Sequence, residues 1–366
     1  LVILMSRSPS PETIELSRKM KDISPNLPIL LLLNDNENIG SVNLRRQELL
    51  STFDNVFVWN GHSEIFLAVI KYLEDKINVF NDTHIGLVRV ILLVEDSIRY
   101  YSRYLPILYR EIMKQVKRLV NEENTDELTK VLRMRARPKV LLASTFEEAM
   151  SLAETFKDYM LCVISDVKYP KDGVIDDFAG IKLIEELRRR NPDLPILLQS
   201  SDRESAHVAG HVNASFMYKN SENLTHELTN FFYQNLGFGD FVYQDETGRA
   251  IGTAKNMNEF EQQLQSIPTE TLLYHASRNH FSLWLTARGE IQLAREIAPK
   301  KISDFKDPEA LRDYLVNIVR QLKFEKNKGK IVDFDETLIT EESNIIQLSP
   351  GALGGKGRGL AFIHTL

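Results

Sequence analysis

Residues 160–170 read MLCVISDVKYP, an apolar run that stops on one acid, Asp166, and then turns through a proline. A short apolar run ending on a charged residue reads as a strand buried on both faces, the kind that fills a parallel sheet. Working outward, four more runs follow the same grammar: VRVILLV (88–94), KVLLA (139–143), PILLQS (195–200) and SFMY (215–218). The stretches between them carry apolar residues at helical spacing. Phe146, Met150 and Ala153 share one face, Ser144 with Glu147 supplies a capping box, and Leu224, Leu228, Phe231 and Phe232 line the last helix. Strands alternating with helices predict an α/β fold, a doubly wound parallel five-stranded sheet of flavodoxin-like size. More residues than usual separate the first two strands, including NEENTDE (121–127). They predict a lengthened first helix, kinked at Pro106, and a short extra helix.

Polar residues fall where these strands end. Glu95 and Asp96 close the first, Asp166 the third, Ser200 the fourth and Lys219 the fifth. In an open parallel sheet the carboxyl ends of the strands form the ligand crevice, so these side chains are expected to converge. Three carboxylates together suit a hard divalent cation, Mg²⁺, with the backbone carbonyl of Lys168 placed to complete its shell. Such an ion offsets the charge of an incoming phosphoryl group and lets Asp166 act as an in-line nucleophile. The Ser200 hydroxyl and the Lys219 ammonium would contact phosphoryl oxygens. One acidic strand end is ordinarily a solvated loop; the set at matching ends favours a site.

The strings LLVEDS, VISDVKYP, PILLQSS and NASFMYKN resemble a response-regulator receiver domain, over residues 87–236. The resemblance implies that Asp166 is the phospho-acceptor, that Ser200 and Lys219 contact the phosphoryl group, and that Phe216, three before the lysine, is the switch aromatic. It also implies a histidine kinase or a small phosphodonor as partner. Two features depart from the pattern. The loop after Asp166 (PKDGVIDDFAG) is long, and Asn220 stands where proline commonly follows the lysine.

Residues 1–80 repeat the grammar with LVILM, PILLLL and VFVW as strands and helices at 11–21 and 63–73. Here Met5 takes the place of the acceptor, Leu33 of the serine and Trp59 of the lysine. This resembles the C-terminal half of a degenerate pseudo-receiver, useful for packing or for a homodimer. The chain opens inside a strand-like run without Met, which reads as a fragment of a longer protein.

After residue 236 the pattern changes. FGDFVYQDETGRAIG reads as a turn or short hairpin, and residues 237–325 as a small helical linker domain anchored by Phe260, Leu264, Leu272, Phe281, Trp284 and Leu285. His275 and His280, five apart with no third ligand nearby, read as packed histidines. In 326–366, IVDFDETLI matches the signature of haloacid-dehalogenase phosphatases through Asp333 and Asp335, but too little chain follows for that fold, and a polar opening strand is the better reading. LGGKGRGLAF offers backbone N–H groups and Lys356 to a phosphate. It resembles the opening of the ATP-grasp domain of phosphoenolpyruvate synthase and pyruvate phosphate dikinase, truncated here, which implies ATP only in the complete parent enzyme.

A net charge of −6 argues against nucleic acid as partner. The one cysteine, Cys162, forms no internal disulfide and points to a cytoplasmic setting. No apolar run is long enough for a membrane span. The expected function is a regulatory region phosphorylated on Asp166, not itself a complete enzyme, that controls downstream catalytic domains of the same polypeptide, a phosphoenolpyruvate-synthase-like phosphotransferase. The alternative is a non-phosphorylated scaffold or dimerisation module.

Overall fold

The computed structural model describes residues 1–34, 46–122 and 137–327, with 331–333, 345–347 and a few positions beyond. The chain divides into two compact units, Leu1–Lys117 with Leu132–Leu236, and Arg118–Val131 with Gly237–Leu366.

The first unit opens with three parallel strands, β1 (Val2–Ser6), β2 (Ile29–Leu33) and β3 (Asn55–Val58), paired in that order. All five residues of β2 are buried, as a central strand covered on both faces requires. Helix α1 (Pro11–Ile23) starts where the Ser10 hydroxyl accepts from the Thr13 N–H, with Pro11 pre-setting the first turn. A short α2 (Arg46–Leu50) precedes β3, and α3 (Glu64–His84) closes this part.

The second sheet follows. Its strands are β4 (Val90–Val94), β5 (Lys139–Ala143), β6 (Met160–Asp166), β9 (Ile196–Ser200) and β10 (Ser215–Tyr218); a small antiparallel hairpin, β7 (Tyr169–Lys171) and β8 (Val174–Asp176), interrupts the series. The helices are α4 (Ile98–Glu122), α5 (Phe146–Thr155), α6 (Ala179–Arg190), α7 (Ser205–His211) and α8 (Leu224–Asn235). All five main strands are parallel, in the order β5-β4-β6-β9-β10. Counted within the sheet that order is 2-1-3-4-5, the flavodoxin-like doubly wound arrangement expected from the strand grammar. Residues of alternate parity fill opposite faces. Val90, Leu92, Val94, Val163, Ile196 and Leu198 pack with Leu183, Ile184 and Leu187 of α6, while Ile91, Leu93, Ile164 and Leu197 are equally buried.

Two details differ from the sequence reading. The N-cap of α5 is Thr145, not Ser144: its hydroxyl accepts from the Glu148 N–H, and Glu148 in turn accepts from the Ser144 N–H. Glu148 thus reaches one residue beyond the cap, and Glu147 instead accepts from the Asp172 N–H of the hairpin. The long loop after Asp166 is that hairpin, turned at Asp172 and Gly173, both with positive φ (53° and 78°). Helix α4, the lengthened first helix expected, carries Pro106 within it. Buried Tyr101, Tyr104, Leu105, Leu108, Tyr109 and Ile112 hold it on both sides of the proline. The expected extra helix falls outside the described residues.

A buried ion network joins the two sheets' helices. Asp75 of α3 has no exposed surface and meets Arg137 through Nη2–Oδ1 at 2.6 Å and Nη1–Oδ2 at 3.0 Å. Tyr109 Oη and the Val140 N–H also donate to Asp75 Oδ2, each at 2.9 Å. Lys139, itself buried, reaches Asp82 Oδ2 at 2.7 Å. Burying a carboxylate is costly unless donors such as these surround it.

The second unit begins with an antiparallel hairpin, β11 (Phe241–Gln244) and β12 (Ala250–Ala254), and continues as helices α9 (Met257–Ser266), α10 (Thr269–Ser277), α11 (His280–Ala287), α12 (Ile291–Ile297) and α13 (Pro308–Asn327). Its core gathers Phe241, Tyr243, Phe260, Trp284, Leu285, Leu311, Leu315 and Val319. Gly237, at φ 69°, cannot carry a side chain, because a Cβ would lie 2.7 Å from the Trp284 Cα. His275 and His280 belong to different helices and meet Nδ1 to Nδ1 at 3.0 Å. Since His275 Nε2 accepts from the Gln244 N–H, its Nδ1 carries the proton and donates to His280. Asp333 ends a short strand, β13 (Ile331–Asp333), and Asp335 lies outside the described residues.

Candidate functional site

The carboxyl ends of the five-stranded sheet bring together the residues expected there. Among the described residues one group of three acids stands close enough to share an ion: Glu95, Asp96 and Asp166, with carboxylate oxygens all within 4.8 Å of one another. Sheet geometry explains the meeting, since β4 and β6 are adjacent and both end at this edge. Lys219, just past β10, reaches across the end of β9. Its ammonium lies 2.6 Å from Glu95 Oε2 and 2.5 Å from Asp166 Oδ2. Asp166 is 7% exposed, Lys219 2%, and Glu95 not at all.

One ammonium beside three clustered carboxylates, two of them buried, leaves negative charge in excess. Burial pushes Glu95 up to about 8; the neighbouring Asp166 and Asp96 add to the rise and Lys219 opposes it. Burial likewise raises Asp166, against the pull of Lys219 and of the Val167 N–H. Burial alone would lower Lys219, but the two carboxylates carry it above its ordinary value. An all-oxygen donor set short of positive charge fits a hard divalent cation.

The other expected residues lie as follows. Ser200 ends β9 with its hydroxyl accepting from the Asp202 N–H at 3.0 Å, and the Ser205 hydroxyl lies 3.1 Å from it. Phe216 in β10 is partly buried against the core. The Lys168 side chain is exposed and paired with Asp177 at 2.5 Å, so its main chain is what this position can offer the acids. Lys356 is exposed and belongs to the second unit.

Sequence reasoning missed several participants. Gln199 is wholly buried and its Nε2 donates to Glu95 Oε2 at 3.1 Å. Tyr100 presents its ring to the Lys219 ammonium, 4.4 Å from the centroid, and its hydroxyl donates to Asn220 Oδ1 at 3.0 Å. Tyr104 packs on Tyr100, and its hydroxyl is buried without a hydrogen-bond partner. Burial and the charges of Glu95 and Asp166 raise its pKa far above the ordinary tyrosine value. Gly180 is demanded by close approach: a Cβ there would fall 2.0 Å from the Asp166 carbonyl oxygen. The spacing of Tyr100 and Tyr104 was visible in the sequence, but helical spacing alone does not tell a core aromatic from one facing a site.

No family model matches the chain, and no curated protein matches it. Among solved structures, a response regulator receiver domain protein from Clostridium thermocellum is similar over 40% of this chain and 94% of its own, at 17% identity and a TM-score of 0.26. That score is too low to bear weight, and the fold rests on the strand order itself.

Proposed function

We propose that residues 87–236 act as a receiver, taking a phosphoryl group onto Asp166 from a histidine kinase or a small acyl phosphate, and that this controls catalytic domains farther along the polypeptide. The observation that supports it most is the placing of a buried aspartate at the end of β6, with two further acids and one lysine around it. In this reading an Asp166 carboxylate oxygen attacks the donor's phosphorus in line, and the bond to the donor's leaving nitrogen or oxygen breaks. Mg²⁺, held by Glu95, Asp96, Asp166 and the Lys168 carbonyl, would offset the charge of the incoming group. Lys219 gives up part of its contact with the carboxylates and pairs with a phosphoryl oxygen, while the Ser200 hydroxyl donates to another. Phe216 fills space beside them and follows Ser200. Gly180 holds α6 close against the acceptor strand.

Residues 1–80 are read as a degenerate copy without chemistry. Met5 stands half exposed in β1, and Leu33 is buried where a hydroxyl would have to face a phosphoryl group. Methionine and leucine neither accept nor bind such a group. The parent is proposed to be phosphoenolpyruvate-synthase-like, with Lys356 a nucleotide-contacting residue of the complete enzyme, the only form expected to use ATP. Treatment with Mg²⁺ and acetyl phosphate tests the acceptor: intact-mass analysis should find one added phosphoryl group, absent from Asp166→Ala. If neither acyl phosphates nor kinases modify the chain, residues 1–236 become an interaction module instead.

A further inference from the structure

We infer that helix α4 reports the state of the Asp166 site to the N-terminal sheet, so that β3, along the edge α4 covers, is the first strand of that sheet to respond to phosphorylation; this rests on the acceptor reading above. Two sets of residues on the first turns of α4 carry the argument. Tyr100 and Arg103 face the loop that bears the lysine. The Tyr100 ring meets the Lys219 ammonium, its hydroxyl donates to Asn220, and Arg103 Nη1 donates to the Lys219 carbonyl at 3.4 Å. Tyr101 and Ser102 face β3. Tyr101 Oη donates to the Val56 carbonyl and to Asn55 Oδ1, and the Val58 N–H donates to Ser102 Oγ at 3.0 Å. The Tyr101 ring also packs edge-on against Phe57 at 5.6 Å.

Among the described residues β3 pairs with β2 alone, and two hydroxyls of α4 take the place of a neighbour strand along its other edge. They satisfy backbone groups that are buried and would otherwise be costly to leave unpaired. On the opposite side, the position of Lys219 depends on what it pairs with. Its ammonium is now shared between Glu95 and Asp166. A phosphoryl group on Asp166 draws it to a new oxygen, and the segment 219–220 must follow. Tyr100 is bound to that segment at both ends of its side chain, by ring and by hydroxyl. A stiff helix cannot absorb the shift locally, and packed interiors change by discrete rearrangement. Tyr101 and Ser102, next in sequence, then move against β3.

The full chain loaded with beryllofluoride and Mg²⁺, occupancy read by fluorine NMR, tests this through hydrogen exchange of the peptide covering residues 55–59. Loading is expected to change exchange there by ~5-fold or more, and not in Asp166→Ala. Tyr101→Phe, which keeps the buried ring and removes the hydroxyl that reaches β3, should still load yet show less than half of that response. A loaded wild-type chain with unchanged exchange at 55–59 overturns the relay, as does a full response in Tyr101→Phe. A Tyr101→Phe chain that no longer loads would tie Tyr101 to the acceptor site rather than to β3 and also overturn it. Failure of the wild-type chain to load with either beryllofluoride or acetyl phosphate instead sinks the acceptor reading, and the relay with it.

Discussion

Lys219 is the residue on which the site's electrostatics turn. Replacing it by alanine leaves Glu95 and Asp166 buried against each other with no cation. Their raised pKa values mean that one of them then takes up a proton rather than remain charged. The variant should unfold with about 2–4 kcal/mol less free energy in urea titrations, and it should label poorly with acetyl phosphate. Gly180→Ala forces α6 off the acceptor strand, since its Cβ overlaps the Asp166 carbonyl. The expected cost is about 1–3 kcal/mol, with slower labelling of Asp166 measured by mass. His275 tests a different region. Burial, with the charges of His280 and Arg278, lowers its pKa from 6.5 to about 3. Unfolding frees it to bind a proton below 6.5, so stability is full above that pH and declines as pH falls towards 3. A thermal melt at pH 4.5 should show a lower midpoint than at pH 7, and in His275→Gln the difference should shrink by at least ~2 °C.

At the scale of elements, the strands were legible because a parallel sheet buried on both faces demands unbroken apolar runs, and each of the five runs forms its strand. The hairpin after Asp166 was not recognised, although its signal was present. Asp172–Gly173 is the dipeptide favoured where both turn residues need positive φ. Short arms containing Pro170 and polar ends masked it. The Asp75 network was also invisible to pattern reading: Asp75 and Arg137 are 62 positions apart, and each alone looks like an ordinary surface charge on its element. Asp75→Ala strands a buried guanidinium and is expected to cost about 3–5 kcal/mol, measured by chemical denaturation. Asp75→Asn, which keeps an acceptor, should cost less.

For the whole molecule, composition and strand grammar gave the α/β class and the convergence of Glu95, Asp96, Asp166 and Lys219. What they could not give was how the N-terminal sheet is joined to the larger one. That junction is made by hydroxyls and charges, Tyr101, Ser102, Asp75 and Arg137, whose partners lie far away in sequence and follow no period. A chain lacking residues 1–86 would leave Arg137 and Lys139 without their carboxylates and uncover Tyr101. It should melt well below the full chain while retaining its five strands by circular dichroism.

The most direct test of the central proposal is the stoichiometry of phosphorylation. Incubated with acetyl phosphate and Mg²⁺, the full chain should gain a single hydroxylamine- and base-labile phosphoryl group, mapped by borohydride reduction to Asp166 and not formed when EDTA is present. Modification at another residue, or equal labelling of Asp166→Ala, would contradict the account.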